Sequence, residues 1–165
     1  MVATKLINAI RGAQPNVTFM VANQNSPVPE HVFCEVYAIG TRFAGMPEYE
    51  NDEFEETVSV VNLYKVSLTY NGLVTSDAER ASIHMSRFLQ SSLAANKLTE
   101  QGLSLISIQD IQHAPKLKDV DIYMNYTLDI VIASSESDSF AVDVVDVVRV
   151  VGDFEIDEHT FEVEI

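Results

Sequence analysis

A chain of 165 residues with 47% hydrophobic residues is long enough to form a single domain with a substantial core. Its 25 acidic residues outnumber its 10 basic ones and leave a formal charge of −15. That balance excludes tight binding to a phosphate backbone, which requires clustered Lys and Arg. Cys34 is the only cysteine, and no apolar run reaches the ~18 residues of a membrane span. We therefore expect a soluble domain in a reducing compartment, with no contact to a membrane.

The N-terminal part of the chain predicts a short helix, a connector and a strand. Apolar residues recur at helical spacing over residues 3–13, and this helix is expected to end near Gly12. Residues 23–29 contain two prolines and are typical of a connector. Residues 31–39 are rich in Val, Phe, Tyr and Ile and predict a strand that Gly40 would close.

Residues 40–56 predict a long exposed loop, because like charges concentrate there and resist packing. The acidic residues of this segment form a candidate acidic surface: Glu48, Glu50, Asp52, Glu53, Glu55 and Glu56. Such a run could bind divalent cations weakly, but it is usually a solvated face; the alternatives are the lumen of an assembly and a charged contact. Four large apolar or aromatic side chains lie among the charges: Phe43, Met46, Tyr49 and Phe54. They are either anchors of a subunit interface or groups that fold the loop onto its own core.

Residues 58–70 alternate apolar and polar side chains and predict a strand with one buried face. At about 3.3 Å per residue this strand would span roughly 40 Å and project past the core of its own domain. A turn at Asn71 and Gly72 would lead to a helix from Asp77. This helix would start with the capping box of residues 76–79 and bury a stripe that begins at Ala78.

The remaining sequence predicts one more short helix and several strands. Residues 93–98 continue the helical part, residues 103–108 predict a short strand and residues 110–118 a loop. Seven apolar residues alternate with mostly polar ones over residues 120–132, which predicts a long strand of well-fixed register. Ser134–Ser139 would be a polar turn that leads into a valine-dense strand over residues 140–151.

These elements predict an α+β domain with a mixed, mainly antiparallel sheet. The N-terminal helix and the central helix would pack on one face of that sheet. Residues 1–152 would form the domain, and residues 153–165 an acidic strand or arm of the same domain that seeks a partner within the chain or on a neighbour.

No pattern in the sequence is typical of an active site. Asp119, Asp121 and Asn125 resemble the start of a calcium loop, but Tyr123 occupies the third ligand position and the glycine is missing. The four histidines are scattered at His31, His84, His113 and His159. No nucleophile elbow and no phosphate-binding glycine loop occur. We therefore expect no catalytic, cofactor or metal-binding residue, and the alternative from another class is a small metal-dependent hydrolytic enzyme that uses Asp119, Asp121 and a histidine.

The order of elements, with particular residues, resembles the tail-terminator or neck-terminator proteins of tailed bacteriophages. The resembling features are the N-terminal helix, the Asn-Gln followed by Pro-x-Pro over residues 23–29, the strand that ends at Gly40, the long strand, the helix with Ala78 and Ala81, and the two long strands near the end. The similarity spans roughly residues 1–152.

This resemblance implies a structural virion protein, made in the host cytoplasm, that lies in the tail or neck. Copies of the chain would close into a ring, commonly a hexamer, that caps the tail tube protein and meets the head–tail connector or stopper protein. Such a family has no catalytic residues to carry over and no cofactor. DNA would pass an acidic lumen without specific binding, since like charges repel. A head–tail stopper or adaptor protein is the close alternative.

Overall fold

The computed structural model describes residues 1–24, 27–43, 48–51, 55–73, 75–118 and 121–141. The helices within these residues are α1 (Val2–Ile10), a 3₁₀ turn (Arg11–Ala13), α2 (Thr75–Leu89) and α3 (Ser92–Thr99). The strands are β1 (Thr18–Val21), β2 (Phe33–Phe43), β3 (Glu48–Asn51), β4 (Glu55–Gly72), β5 (Leu103–Ile108), β6 (Gln112–Lys118) and β7 (Asp121–Ala141).

The strands form one sheet in the order β1-β2-β4-β7-β5, with β3 also beside β4 and β6 also beside β7. Only β1 and β2 pair in parallel among the described strands, and the other pairs are antiparallel. The centre of the sheet is the β4–β7 pair, which runs without a break from Glu55 opposite Ala141 to Gly72 opposite Met124. The predicted α+β class with a mixed, mainly antiparallel sheet is confirmed.

The helices pack on one face of this sheet, hereafter the helix-side face, and the core lies between them. Side chains with the same parity on the paired strands are buried there: Cys34, Val36, Val66, Leu68, Tyr70, Tyr126, Leu128, Ile130 and Ile132. Because successive side chains of a strand point to opposite faces, the residues between them lie on the helix-free face. The predicted helical stripe is confirmed, since Ala78, Met85 and Leu89 are buried in α2.

A buried polar side chain joins three elements of the core. Gln14 follows the 3₁₀ turn, and its amide nitrogen donates a hydrogen bond to the carbonyl oxygen of Ala81 at 2.6 Å. The hydroxyl of Tyr70 donates to the amide oxygen of Gln14 at 3.0 Å. Burial of polar groups is tolerated when they are hydrogen-bonded. These two hydrogen bonds give the buried amide of Gln14 its partners and link the N-terminal segment to β4 and α2.

Several predicted boundaries are wrong. The strand predicted over residues 31–39 is β2, and it continues past Gly40 through a change of register before Arg42. Asn71 and Gly72 end β4 instead of forming a turn, and α2 begins at Thr75. Ser76 therefore lies in the first turn of α2 and is not its N-cap. A side-chain N-cap is seen instead at the next helix, α3, where the hydroxyl of Ser91 accepts from the amide of Ala94 at 3.2 Å.

Three segments predicted as loops or turns are strands in the structure. The loop predicted over residues 40–56 contains β3 and the start of β4. The loop predicted over residues 110–118 contains β6, where Pro115 is tolerated because β6 pairs with β7 alone among the described strands. The polar turn predicted at Ser134–Ser139 belongs to β7. In addition, β1 was not predicted. The strand predicted over residues 140–151 lies outside the described residues after Ala141, as does the segment 153–165.

Candidate assembly surface

Three strand segments continue the sheet past the helices. They are residues 48–51 of β3, 55–61 of β4 and 135–141 of β7, and together they are called the arm. Residues 55–61 alone extend about 20 Å at roughly 3.4 Å per residue. None of the described side chains of the arm belongs to the buried core. The prediction that the long strand projects past its own core is therefore confirmed, and its partner along the whole projection is β7.

The predicted interface residues lie in or beside the arm where the structure describes them. Phe43 is the last residue of β2 and pairs with Asn62 at the base of the arm. Tyr49 is in β3 and pairs with Val58. Met46 and Phe54 lie outside the described residues. The backbone thus brings two of the four predicted positions to one side of β4.

The candidate acidic residues are distributed over two strands. Glu48 and Glu50 are exposed in β3. Glu55 and Glu56 are the first residues of β4, opposite Ala141 and Phe140. Asp52 and Glu53 lie outside the described residues. The arm therefore holds carboxylates on β3 and on β4.

Sequence reasoning missed two further acidic residues of the arm. Glu136 and Asp138 are exposed in β7, within the segment predicted as a turn. The two acids alternate with Ser135, Ser137 and Ser139, and this period of two is the signal from which a longer strand could have been predicted.

The helix-side face of the arm carries a small apolar strip with an acidic rim. Val58 and Val60 are half-buried and lie opposite Asp138 and Glu136. The carboxylate of Glu136 accepts hydrogen bonds from the amide of Asn62 at 2.9 Å and from the hydroxyl of Tyr64 at 3.3 Å. Desolvation of the phenol, followed by the charge of Glu136 and this hydrogen bond, raises the pKa of Tyr64. The position of the Glu136 carboxylate is thus fixed by two neutral donors.

The helix-free face of the sheet carries hydroxyl pairs along β4 and β7. The hydroxyl oxygens of Thr57 and Ser139 are 3.0 Å apart, those of Ser59 and Ser137 2.9 Å, and those of Thr69 and Thr127 3.2 Å. Lys65 and Asp129 form an ion pair at 3.4 Å on the same face. Tyr37 and Ile39 of β2 are exposed there.

The residues considered for metal chemistry do not converge. Asp121 begins β7, so the calcium-loop interpretation is wrong for it, and Asp119 lies outside the described residues. Among the described residues, no three His, Cys, Asp or Glu side chains are grouped as metal ligands. The side-chain oxygen of Asn125 is buried without a hydrogen-bond partner in the described part of the chain.

The histidines have separate surroundings. His113 stacks on Tyr126 with ring centroids 4.6 Å apart, and Nδ1 of His84 lies 3.5 Å from the amide nitrogen of Gln14. His31 lines a cavity of about 530 Å³ together with Asp77 and Arg80. His159 lies outside the described residues. These three environments share no common centre.

Two side chains of a type that can act as nucleophiles, a serine and the cysteine, are held in structural contacts. Ser82 is buried, and its hydroxyl donates to the carbonyl oxygen of Glu79 at 2.7 Å within α2. Cys34 is fully buried, and desolvation raises the pKa of its thiol, although a hydrogen bond with Tyr70 opposes that shift. A thiol must ionise to react as a nucleophile, so Cys34 is protected in the folded chain.

The fold and these surfaces define an α+β domain whose sheet extends into an acidic arm. The family model of the phage neck terminator protein matches residues 4–159, and the chain belongs to this family. The predicted resemblance is thereby confirmed. Membership assigns the chain a structural role in the phage neck, in association with other phage proteins. A comparison with curated proteins finds no match. None of the described helices is long and apolar enough to cross a membrane.

Proposed function

We propose that the chain is a ring-forming subunit that caps the tail tube and presents the docking face for the head connector. Ring closure requires two different surfaces on each copy, because the contact between neighbours is head-to-tail. The observation that carries the proposal is the arm, which extends the sheet by about 20 Å past the helices that cover the rest of it. A projecting sheet of this kind reaches a neighbouring subunit without disturbing the core.

The predicted interface residues take a specific place in this ring. Phe43 at the base of the arm and Tyr49 in β3 would contact the neighbouring copy, together with Met46 and Phe54. Interface hot spots are enriched in aromatic anchors, which bury a large area at a small cost in side-chain entropy. The arm would thus supply both reach and binding energy.

The acidic surface would face the lumen of the ring, where DNA passes. Six copies would carry a formal charge of about −90, six times −15, which salt must screen. The acidic side chains would repel the DNA backbone and let it slide without specific binding. These are the side chains of Glu48, Glu50, Asp52, Glu53, Glu55 and Glu56.

The proposed function involves no cofactor and no catalysis, and the protein would reside in the tail or neck of the virion. Residues 1–152 would form its domain, and residues 153–165 would be a further acidic strand or C-terminal extension of that domain, separate from the arm defined above.

A stopper or adaptor of the head–tail connector remains the second candidate. An exposed arm would also serve ring formation in a stopper or adaptor, so the arm does not distinguish between the two functions. The binding partner distinguishes them, because a terminator binds the end of the tail tube, whereas a stopper binds the connector and leaves tube growth unaffected.

The experiment that tests the interface is the substitution of Phe43→Ser and Phe54→Ser, singly and together. All three variants are expected to reduce the fraction of chain in rings, measured by sedimentation velocity, and to leave the circular dichroism of the monomer unchanged. Leu73→Ser is the matched control, because Leu73 is 55% exposed at the opposite end of β4. Unchanged assembly of the double variant would show that these aromatics pack within their own subunit instead.

A further inference from the structure

We propose that the helix-side face of the arm of one copy docks on the outer surface of α3 and the 3₁₀ turn of a second copy. The proposal rests on the ring function above and names the two surfaces that meet. The first surface consists of Val58, Val60, Glu136 and Asp138. The second consists of Leu93, Lys97 and Arg11.

The first surface is a continuation of the face that the helices cover elsewhere. Within one subunit, α2 contacts β4 and β7, and the helix-side residues Val66, Leu68 and Tyr70 of β4 are buried there. Val58 and Val60 have the same parity as these residues and lie on the same face, but they are only half-buried. The same type of surface that receives helices in the core is therefore present on the arm, where no helix covers it in the described part of the chain.

The second surface presents an apolar side chain beside two cations. Leu93 is 56% exposed in α3, and Lys97 follows it by four residues, so both lie on one face of the helix. The next residue after Leu93, Ala94, is buried, as is Leu98. The ammonium of Lys97 lies 3.9 Å from the position that a Cβ of Gly12 would occupy, which places it beside the 3₁₀ turn that contains Gly12 and Arg11. Arg11 is exposed.

Charge is segregated between the helices and the arm. The helices and the 3₁₀ turn carry five basic and two acidic residues: Lys5, Arg11, Arg80, Arg87 and Lys97 against Asp77 and Glu79. The arm carries six acidic residues and no basic one: Glu48, Glu50, Glu55, Glu56, Glu136 and Asp138. A chain with a formal charge of −15 thus keeps half of its 10 basic residues on its helices. Complementary potentials of this kind fix the register of an interface and suppress wrong partners.

The two surfaces also match in their arrangement. Each has an apolar centre, the valines on the arm and Leu93 on α3, next to charges of one sign. The Glu136 carboxylate is held in place by Asn62 and Tyr64, so little side-chain freedom is lost when a cation approaches it. Because the surfaces differ, one copy offers both, and repetition of the contact continues from subunit to subunit as a ring requires.

A charge swap tests this contact. Glu136→Lys and Lys97→Glu, each alone, are expected to weaken self-association about tenfold, since each turns an attraction at the rim into a repulsion. The chain with both substitutions is expected to recover most of the loss. Glu136→Gln keeps the size of the side chain and removes the charge, and it should give an intermediate effect. Its single amide oxygen can replace only one of the two acceptors that Asn62 and Tyr64 meet. The fraction of chain in rings is measured by sedimentation velocity over a range of concentrations at low and high salt.

Glu50→Lys is the matched control for position. Glu50 is an exposed acid of the same arm, but it pairs with Thr57 and lies on the helix-free face. The substitution Glu50→Lys changes the net charge as much as Glu136→Lys does, but it should weaken self-association much less. The proposed contact would be overturned if Glu136→Lys and Glu50→Lys weakened association equally. It would also be overturned if the double swap did not recover association while the unaltered chain still formed rings. Either result would leave the proposal of a ring standing. Absence of rings from the unaltered chain, with and without the tail tube, would remove both proposals.

Discussion

The hydrogen bond between Tyr70 and Gln14 links the segment after the N-terminal helix to the sheet. Gln14 is only 7% exposed, and its side chain is hydrogen-bonded to Ala81 and Tyr70. Nothing in the sequence marks this residue, because a single buried amide produces no periodic pattern. The apolar stripe of α2 was predictable for the opposite reason, since Ala78, Met85 and Leu89 repeat at helical spacing.

Tyr70→Phe tests the weight of this hydrogen bond. The substitution removes the hydroxyl but keeps the ring, so the amide oxygen of Gln14 loses its donor in a buried site. Loss of about 1–3 kcal/mol of unfolding free energy is expected, the cost of an unsatisfied buried polar group. Urea denaturation gives the measurement. Tyr37→Phe on the exposed helix-free face is the control and should change stability by less than about 0.5 kcal/mol. Equal stability of the two variants would show that the Tyr70 hydroxyl contributes nothing net.

At the scale of elements, β7 departs most from expectation. Its polar residues Ser134–Ser139 have the composition of a turn. In the structure, however, the strand pairs with β4 through Ala141. The hydroxyls of Ser137 and Ser139 contact those of Ser59 and Thr57 across the pair, so polar side chains on both strands satisfy one another. Pairing with a long partner thus overrides local composition.

Amide hydrogen exchange tests this continuity. Alternate amides over residues 135–139 should exchange more slowly than those of Val28 and Glu30, which lie in the connector before β2 and in no strand. The physical reason is that backbone hydrogen bonds to β4 protect every second amide of an edge strand. Residue-resolved exchange at neutral pH gives the rates. Uniformly fast exchange over 135–139, at the connector's rate, would mean that the predicted turn is correct after all.

The sequence predicted the elements whose pattern is long and periodic. The core parts of β4 and β7, predicted over residues 58–70 and 120–132, and the helix α2 follow from alternation or helical spacing alone. The short strands β1, β3 and β6 do not, because their few residues do not alternate clearly and their pairing depends on distant partners. The six residues of β5 are equally few, but they are mostly apolar and were predicted. In β3 the four residues include two glutamates, which indicate a loop unless the neighbouring β4 is known.

At the scale of the whole molecule, the arm follows from two strands that are longer than the layer of helices. The residues of β4 and β7 pair over 18 positions, while the helices cover only the part near Val66 and Ile130. Among the described residues no helix covers the remainder, where Val58 and Val60 are half-buried. Family membership assigns the chain a structural role in association with other phage proteins, and the arm is the surface that we propose for that association.

The most direct test of this account is imaging of the protein with purified tail tubes that lack a cap. Electron microscopy should show a ring of copies at one end of each tube, and tubes so capped should stop growing when more tube protein is added. Tubes without protein are the control and should continue to lengthen. Binding along the sides of the tube, or unchanged growth in the presence of saturating protein, would contradict the proposed role as the terminator.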